Sequence, residues 1–273
     1  MLTERDLDTG AITLHYAEGP DAGPPLVLLH GLTGNWQSMQ IFFPVFTPAW
    51  HVYACDLRGH GGSGRIAGDY RLIDYVKDIA TFLRGQVGAP AVLMGHSLGA
   101  LTALGTAAQA PEQVRGLVLL DPPLYLRNAG VEARAEAAEW FAWVRDTVTT
   151  AGSVDAVAAR LHEMDPGLDA PALQEMAEGI VHVAPGTVDV TLQNRLLEGF
   201  DLEAALERIA CPTLLMHGDW DAGAAVRAED VELVRAHLPG AQIVRMPGAG
   251  HGFPYEQTEA TLGYVRPFLE ALD

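Results

Sequence analysis

Ser97 sits in Gly95-His96-Ser97-Leu98-Gly99, with a glycine two residues to either side. A serine hydroxyl is a weak nucleophile until a base takes its proton, and that base must be held in the right tautomer. Residues 91–95 read as a short buried strand and 98–110 as an Ala- and Leu-rich helix. The serine therefore falls between a strand and a helix, the nucleophile-elbow pattern. Such a turn strains the backbone of the nucleophile, and the flanking glycines relieve the crowding. With four serines and 29 glycines among 273 residues, chance supplies roughly 0.05 such matches. A serine capping an ordinary helix would account for Ser97, but not for both glycines.

Of ten histidines, only His237 and His251 follow the late apolar run Thr213–His217. His237 falls near the end of an amphipathic stretch, where a histidine complements a helix dipole. His251 lies in Pro247-Gly248-Ala249-Gly250-His251-Gly252, a glycine-rich loop that can present an imidazole at a sheet edge. His251 is the preferred base. Three aspartates compete to orient it. Asp219 and Asp221 follow the run Thr213–His217, and Asp121 ends the run 116–120. Each can instead cap a helix or bond a turn amide.

These residues need a scaffold that carries them on strand ends. Segments 2–7 and 11–17 flank Asp8-Thr9-Gly10 and read as an antiparallel hairpin. Short, mostly continuous apolar runs at 26–30, 52–55, 91–94, 117–120, 213–217 and 242–246 suit strands buried on both faces. Helical patterns lie between or after them, at 70–84, 98–110, 226–237 and 259–272. The alternation predicts an α/β fold: a mostly parallel, doubly wound sheet of eight strands. From 124 to 208 no strand pattern appears, only helical periodicity at 132–147, 154–164, 171–178 and 188–198. That is too long for one crossover. It predicts a helical cap over residues 124–208, inserted into a core of 1–123 and 209–273.

Composition narrows the function classes. At 49% hydrophobic and 19% charged residues, the chain can bury a sizeable core. The formal charge of −18 argues against a nucleic-acid partner, because 16 arginines and Lys77 form no basic block. No apolar stretch approaches the length of a membrane span, and the charged start Met1-Leu2-Thr3-Glu4-Arg5-Asp6 has no signal-peptide core. Two cysteines, Cys55 and Cys211, beside apolar strands fit reduced thiols in the cytoplasm. The glycine-rich stretch 56–64 has neither Gly-Lys-Ser/Thr nor a Gly-x-Gly-x-x-Gly opening a helix, so it is not a phosphate loop. No Cys/His cluster has zinc spacing. No metal and no organic cofactor are expected.

Taken together, the motifs resemble the α/β-hydrolase superfamily, in its serine-dependent, cap-bearing esterase branch. The resemblance runs from His30 to the C-terminus. It rests on His30-Gly31, Asp56-Leu57-Arg58-Gly59-His60-Gly61-Gly62-Ser63, the elbow at Ser97, Gly218-x-x-Asp221, and His251 in its loop. It implies a triad of Ser97, His251 and Asp221, with Asp121 as the position some members use for the acid. It also implies an oxyanion hole built from the backbone amides of Leu32 and Leu98. Arg58 and Asp56 would brace the loop beside the elbow, and His30 would orient the oxyanion loop through a buried hydrogen bond. Trp36, Tyr125, Trp143 and Trp220 fall near the implied pocket and favour a small hydrophobic ester as substrate. Trp140, Phe141 and Trp143 can equally form the core of the cap. Carboxylic ester hydrolysis through an acyl-enzyme is the leading expectation. Cleavage of a carbon–carbon bond, perhydrolysis, or a low-turnover binding module on the same fold are the alternatives. Haloalkane dehalogenase or epoxide hydrolase chemistry would require aspartate at position 97.

Overall fold

A computed structural model describes residues 2–66, 68 and 70–272 of the chain, so Met1, where the charged N-terminal stretch begins, lies outside them. Gly10, at φ 81°, closes the hairpin of β1 (Thr3–Asp8) and β2 (Thr13–Glu18). The parallel strands are β3 (Pro25–Leu29), β4 (His51–Cys55), β5 (Ala91–His96), β6 (Val114–Leu120), β7 (Thr213–His217) and β8 (Gln242–Arg245). Their order across the sheet is β1-β2-β4-β3-β5-β6-β7-β8, with antiparallel pairing at β1/β2 and β2/β4 and parallel pairing elsewhere.

The continuous apolar runs follow from covering both faces of this sheet. Alternate side chains of a strand point to opposite faces. Val27, Leu29, Leu93, Leu117, Leu119 and Leu215 accordingly join one buried cluster, and Leu26, Leu28, Val92, Met94, Val118 and Leu214 join the other. The first face is covered by α2 (Leu72–Phe82) and α3 (Leu98–Gln109). The second is covered by the 3-10 turn Trp36–Phe42, the single turn α1 (Phe43–Phe46), and C-terminal residues described below.

Between β6 and β7 the described residues form only helical segments. The principal ones are α4 (Ala135–Thr150), α5 (Val154–Met164), α6 (Ala170–Val181), α7 (Pro185–Leu192) and α8 (Leu202–Arg208). α4 packs with α7, and α5 with α6. Val144, Val157, Leu161 and Ile180 are fully buried in the same cluster as Leu98 and Leu101. Each such aliphatic contributes about 1.5–3 kcal/mol of burial, which holds these helices in that cluster. α8 lies inside the 124–208 segment yet packs against α3 and against α9 (Ala228–His237), both core helices. The helical pattern at 188–198 stops at Leu192 because Asn194 takes a left-handed φ of 57°. The Asn194 side chain accepts from Val131 N at 2.9 Å and donates to Glu132 at 3.0 Å.

The chain ends with the turn α10 (Phe253–Glu256) and α11 (Thr258–Glu270), whose Leu262, Val265 and Leu269 complete the second face. Among the described residues no helix is long and apolar enough to cross a membrane.

Candidate active site

β5 ends at His96 and α3 begins at Leu98, so Ser97 alone makes the turn, at φ 54° and ψ −116°. A non-glycine residue held there stores about 1–3 kcal/mol of strain. The glycines are required by contact. A Cβ on Gly95 would lie 2.3 Å from the Gly99 backbone, and one on Gly99 would lie 2.2 Å from the Leu29 carbonyl. Ser97 N donates to Leu120 O at 3.0 Å, which ties the turn to β6. The Leu98 N–H heads α3, where helix geometry leaves it no intrahelical partner.

His251 follows β8 at the same edge of the sheet. Its carbonyl accepts from His96 Nε2 at 2.9 Å, and the two rings lie 4.6 Å apart. His251 Nδ1 lies 2.6 Å from Asp121 Oδ2, which also accepts from Ala225 N at 2.7 Å. Asp121 is fully buried at the end of β6, with a left-handed φ of 47°, and its Oδ1 has no partner among the described residues. Among these residues Ser97 Oγ forms no hydrogen bond. An open hydroxyl–imidazole contact is common before substrate binds.

The carboxylate that meets His251 is thus Asp121, and the preference for Asp221 is corrected. Asp221 is exposed in the 3-10 turn Trp220–Ala222. Asp219 is paired with Arg245 at 2.5 and 3.0 Å and accepts from Gly248 N at 2.8 Å. The reason is topological. β6 lies between β5 and β7, and the left-handed turn at Asp121 sets its carboxylate against the His251 loop, while the loop after β7 supplies the Ala225 amide that holds it.

The peptide joining Gly31 and Leu32 abuts the elbow, since a Cβ on Gly31 would lie 3.3 Å from Ser97 Cβ. His30 Nδ1 donates to Gly31 O at 2.7 Å and its Nε2 accepts from Leu57 N at 3.0 Å. Asp56 accepts from Trp36 N at 2.6 Å and Gly62 N at 2.8 Å, while Arg58 forms a buried double contact with Asp78 at 2.7 and 2.8 Å.

The aromatic residues divide. Trp36 is buried on the second face of the sheet with Met39 and Phe42, so its side chain belongs to the core. Trp143 stacks on Trp140 at 5.1 Å in α4. Tyr125 is buried and meets Trp220 edge-on at 5.4 Å. Arg134, which the sequence does not single out, lies 4.2 Å over the Trp220 ring and bonds the Trp220 carbonyl. Tyr255 was also missed. It stands four residues after His251, in α10, and its hydroxyl lies 3.4 Å from His96 Nδ1. It borders an open groove of about 670 Å³ that Gln37, Ser38, Ile41, Phe43 and Glu175 also line.

Burial sets the charge state around the elbow. It pushes His96 down to about 3, with His251 adding to the effect, and holds His30 well below the usual imidazole range. His60 is lowered in the same direction, again chiefly by burial. Such a ring takes up a proton near pH 6.5 when the chain is unfolded but not when it is folded, so stability falls as pH drops below that value. His30 and His96 each cost about 1.4 kcal/mol at pH 5.5. These rings should therefore lower the unfolding free energy from urea titration between pH 7.5 and pH 5.5 by about 3 kcal/mol, offset in part by His15, which Asp6 and Glu4 hold above the usual imidazole value despite its partial burial. Equal or higher stability at pH 5.5 in a His15→Asn background, which removes the opposing group, would contradict neutral burial of these rings.

Comparison with known proteins agrees with this architecture. A family model described as the alpha/beta hydrolase family matches residues 26–263. The chain is 29% identical over 280 residues to the 2-(acetamidomethylene)succinate hydrolase of Mesorhizobium japonicum, covering 98% of this chain and 95% of that protein. It is 31% identical over 255 residues to the pimeloyl-(acyl-carrier protein) methyl ester esterase of Nitrosomonas europaea, covering 86% of this chain and 92% of the other. The crystal structure of an E-2-(acetamidomethylene)succinate hydrolase superposes with a TM-score of 0.79 at 26% identity, over 99% of this chain and 100% of that one.

Proposed function

The chain belongs to the alpha/beta hydrolase family, and from that premise we propose that it is a serine hydrolase cleaving a carboxylic ester through an acyl-enzyme. The observation that carries the reading is the 2.6 Å contact of His251 Nδ1 with buried Asp121, at the sheet edge where Ser97 makes its strained turn. In this reading Asp121 accepts from Nδ1–H, which leaves Nε2 as the lone pair that takes the Ser97 proton. The Ser97 oxygen attacks the ester carbonyl, and the N–H groups of Leu32 and Leu98 receive the developing oxyanion. Each such donor is worth about 2.7–4 kcal/mol in the transition state. His251 then returns its proton to the leaving alcohol, and water repeats the cycle on the acyl-enzyme.

Tyr125, Trp143 and Trp220, at the cap and the loop after β7, are proposed to line an apolar acyl or alcohol site. The methyl ester esterase among the relatives supports ester chemistry. One observation favours a second reading, hydrolysis of an acetamido-type bond in an acidic substrate: a hydrolase named for such a compound matches over 98% of this chain. Carbon–carbon cleavage and perhydrolysis would use the same residues. The two cysteines are unpaired and Cys55 is buried, which supports placing the protein in the reducing cytoplasm.

A fluorophosphonate probe and a series of p-nitrophenyl esters of graded acyl length test the proposal. One probe per chain should attach at Ser97, and the esters should give a burst of p-nitrophenolate followed by steady turnover. Labelling at another residue would overturn the assignment. A burst with no later turnover would indicate a binding protein. Turnover of 2-(acetamidomethylene)succinate with none of the esters would favour the second reading.

A further inference from the structure

His60 has no part in the triad, yet it is fully buried in the loop that follows β4. Its Nε2 lies 2.6 Å from Leu32 O and its Nδ1 2.9 Å from Arg58 O, and its ring meets that of His30 at 5.0 Å. Two consecutive carbonyls, those of Gly31 and Leu32, are therefore each held by a buried imidazole. The N–H and C=O of a trans peptide point in opposite directions. Holding Gly31 O thus aims the Leu32 N–H the other way, and holding Leu32 O sets the next peptide plane. Together they fix the backbone on both sides of Leu32. From the cap, Gly179 of α6 presses on the same loop, where a Cβ would lie 2.4 Å from Thr33 O.

We propose that His60 is a positioning residue for the oxyanion hole, holding the Leu32 peptide so that its N–H stays in register with Ser97. The inference rests on the serine-hydrolase reading above. A ring present only to fill space would be better replaced by an apolar one, because burying polar nitrogens costs free energy unless they find partners. Burial favours the neutral ring, which has one proton for two carbonyls. With that proton on Nε2 the ring donates to Leu32 O.

Four variants test this with a p-nitrophenyl ester and a trifluoromethyl ketone, which forms a tetrahedral oxyanion on a nucleophilic serine. Outright loss of an oxyanion donor costs about 10²–10³-fold in kcat, so loss of its positioning should cost about 10–10²-fold. His60→Leu should show that drop in kcat with KM within about threefold. The inhibition constant of the ketone should weaken in proportion to kcat/KM, as expected for a transition-state interaction. His60→Gln, whose amide can reach Leu32 O, should recover to within about fivefold of wild type, while the shorter His60→Asn should not. Should the leucine variant fail to fold, the Gln and Asn pair decides the matter. Equal kcat for those two, or a change confined to KM, would overturn the proposal. Ser97→Ala separates the two readings: if it stays active the serine-hydrolase assignment fails, and if it is dead while His60→Leu matches wild type only the role of His60 fails.

Discussion

Replacing Ser97 with alanine should lower hydrolysis of a p-nitrophenyl ester by about 10⁴-fold or more, with no loss of folding. Loss of a triad serine costs several orders of magnitude even when oxyanion hole and base remain, because the reaction then has no nucleophile that the base can activate. The protein should tolerate the change. Ser97 Oγ forms no hydrogen bond among the described residues, so deleting it strands no partner. Both side chains meet the same φ of 54°, so the strain of the elbow is unchanged. The check is kcat/KM together with the thermal midpoint. Residual activity above roughly 10% of wild type would remove Ser97 from the mechanism.

The second large effect separates two aspartates. Asp121→Asn should reduce kcat by about 10³–10⁴-fold, whereas Asp221→Asn should stay within about threefold of wild type. Asparagine tolerates the left-handed backbone at position 121, so the fold should survive. What changes is the support of the imidazole. Asp121 Oδ2 meets both His251 Nδ1 and Ala225 N, so an amide there either turns its nitrogen to the ring, forcing the tautomer whose Nε2 carries hydrogen, or keeps an oxygen there without the charge that stabilises the imidazolium. Asp221 is exposed and has no part in the contact with His251. Kinetics of the two variants, with circular dichroism to confirm folding, give the answer. An inactive Asp221 variant beside an active Asp121 variant would return the acid to the loop after β7.

What the amino-acid order determined by itself was whatever depends on near neighbours in the chain. The elbow is legible because Gly95 and Gly99 crowd one another within a single turn. The eight strands and the cap are legible because continuous apolar runs and helical periods are local patterns. The His251 loop is legible because glycines on both sides of a histidine after a late strand are again a local pattern. Which aspartate meets His251 was not legible in this way. Asp121, Asp219 and Asp221 all stand just beyond strand ends, so their local chemistry is alike. Only strand order, the left-handed turn at Asp121 and the Ala225 amide from a different loop decide which carboxylate reaches Nδ1. Trp36 went to the core for a similar reason: its side chain packs under the sheet, and no spacing in the chain records which face it takes. His60 stands in a stretch that reads only as a glycine-rich loop, until folding brings Leu32 O to 2.6 Å from its ring. Sterics between adjacent residues are written in the chain, whereas hydrogen bonds between residues far apart in it exist only once the sheet has placed their loops side by side.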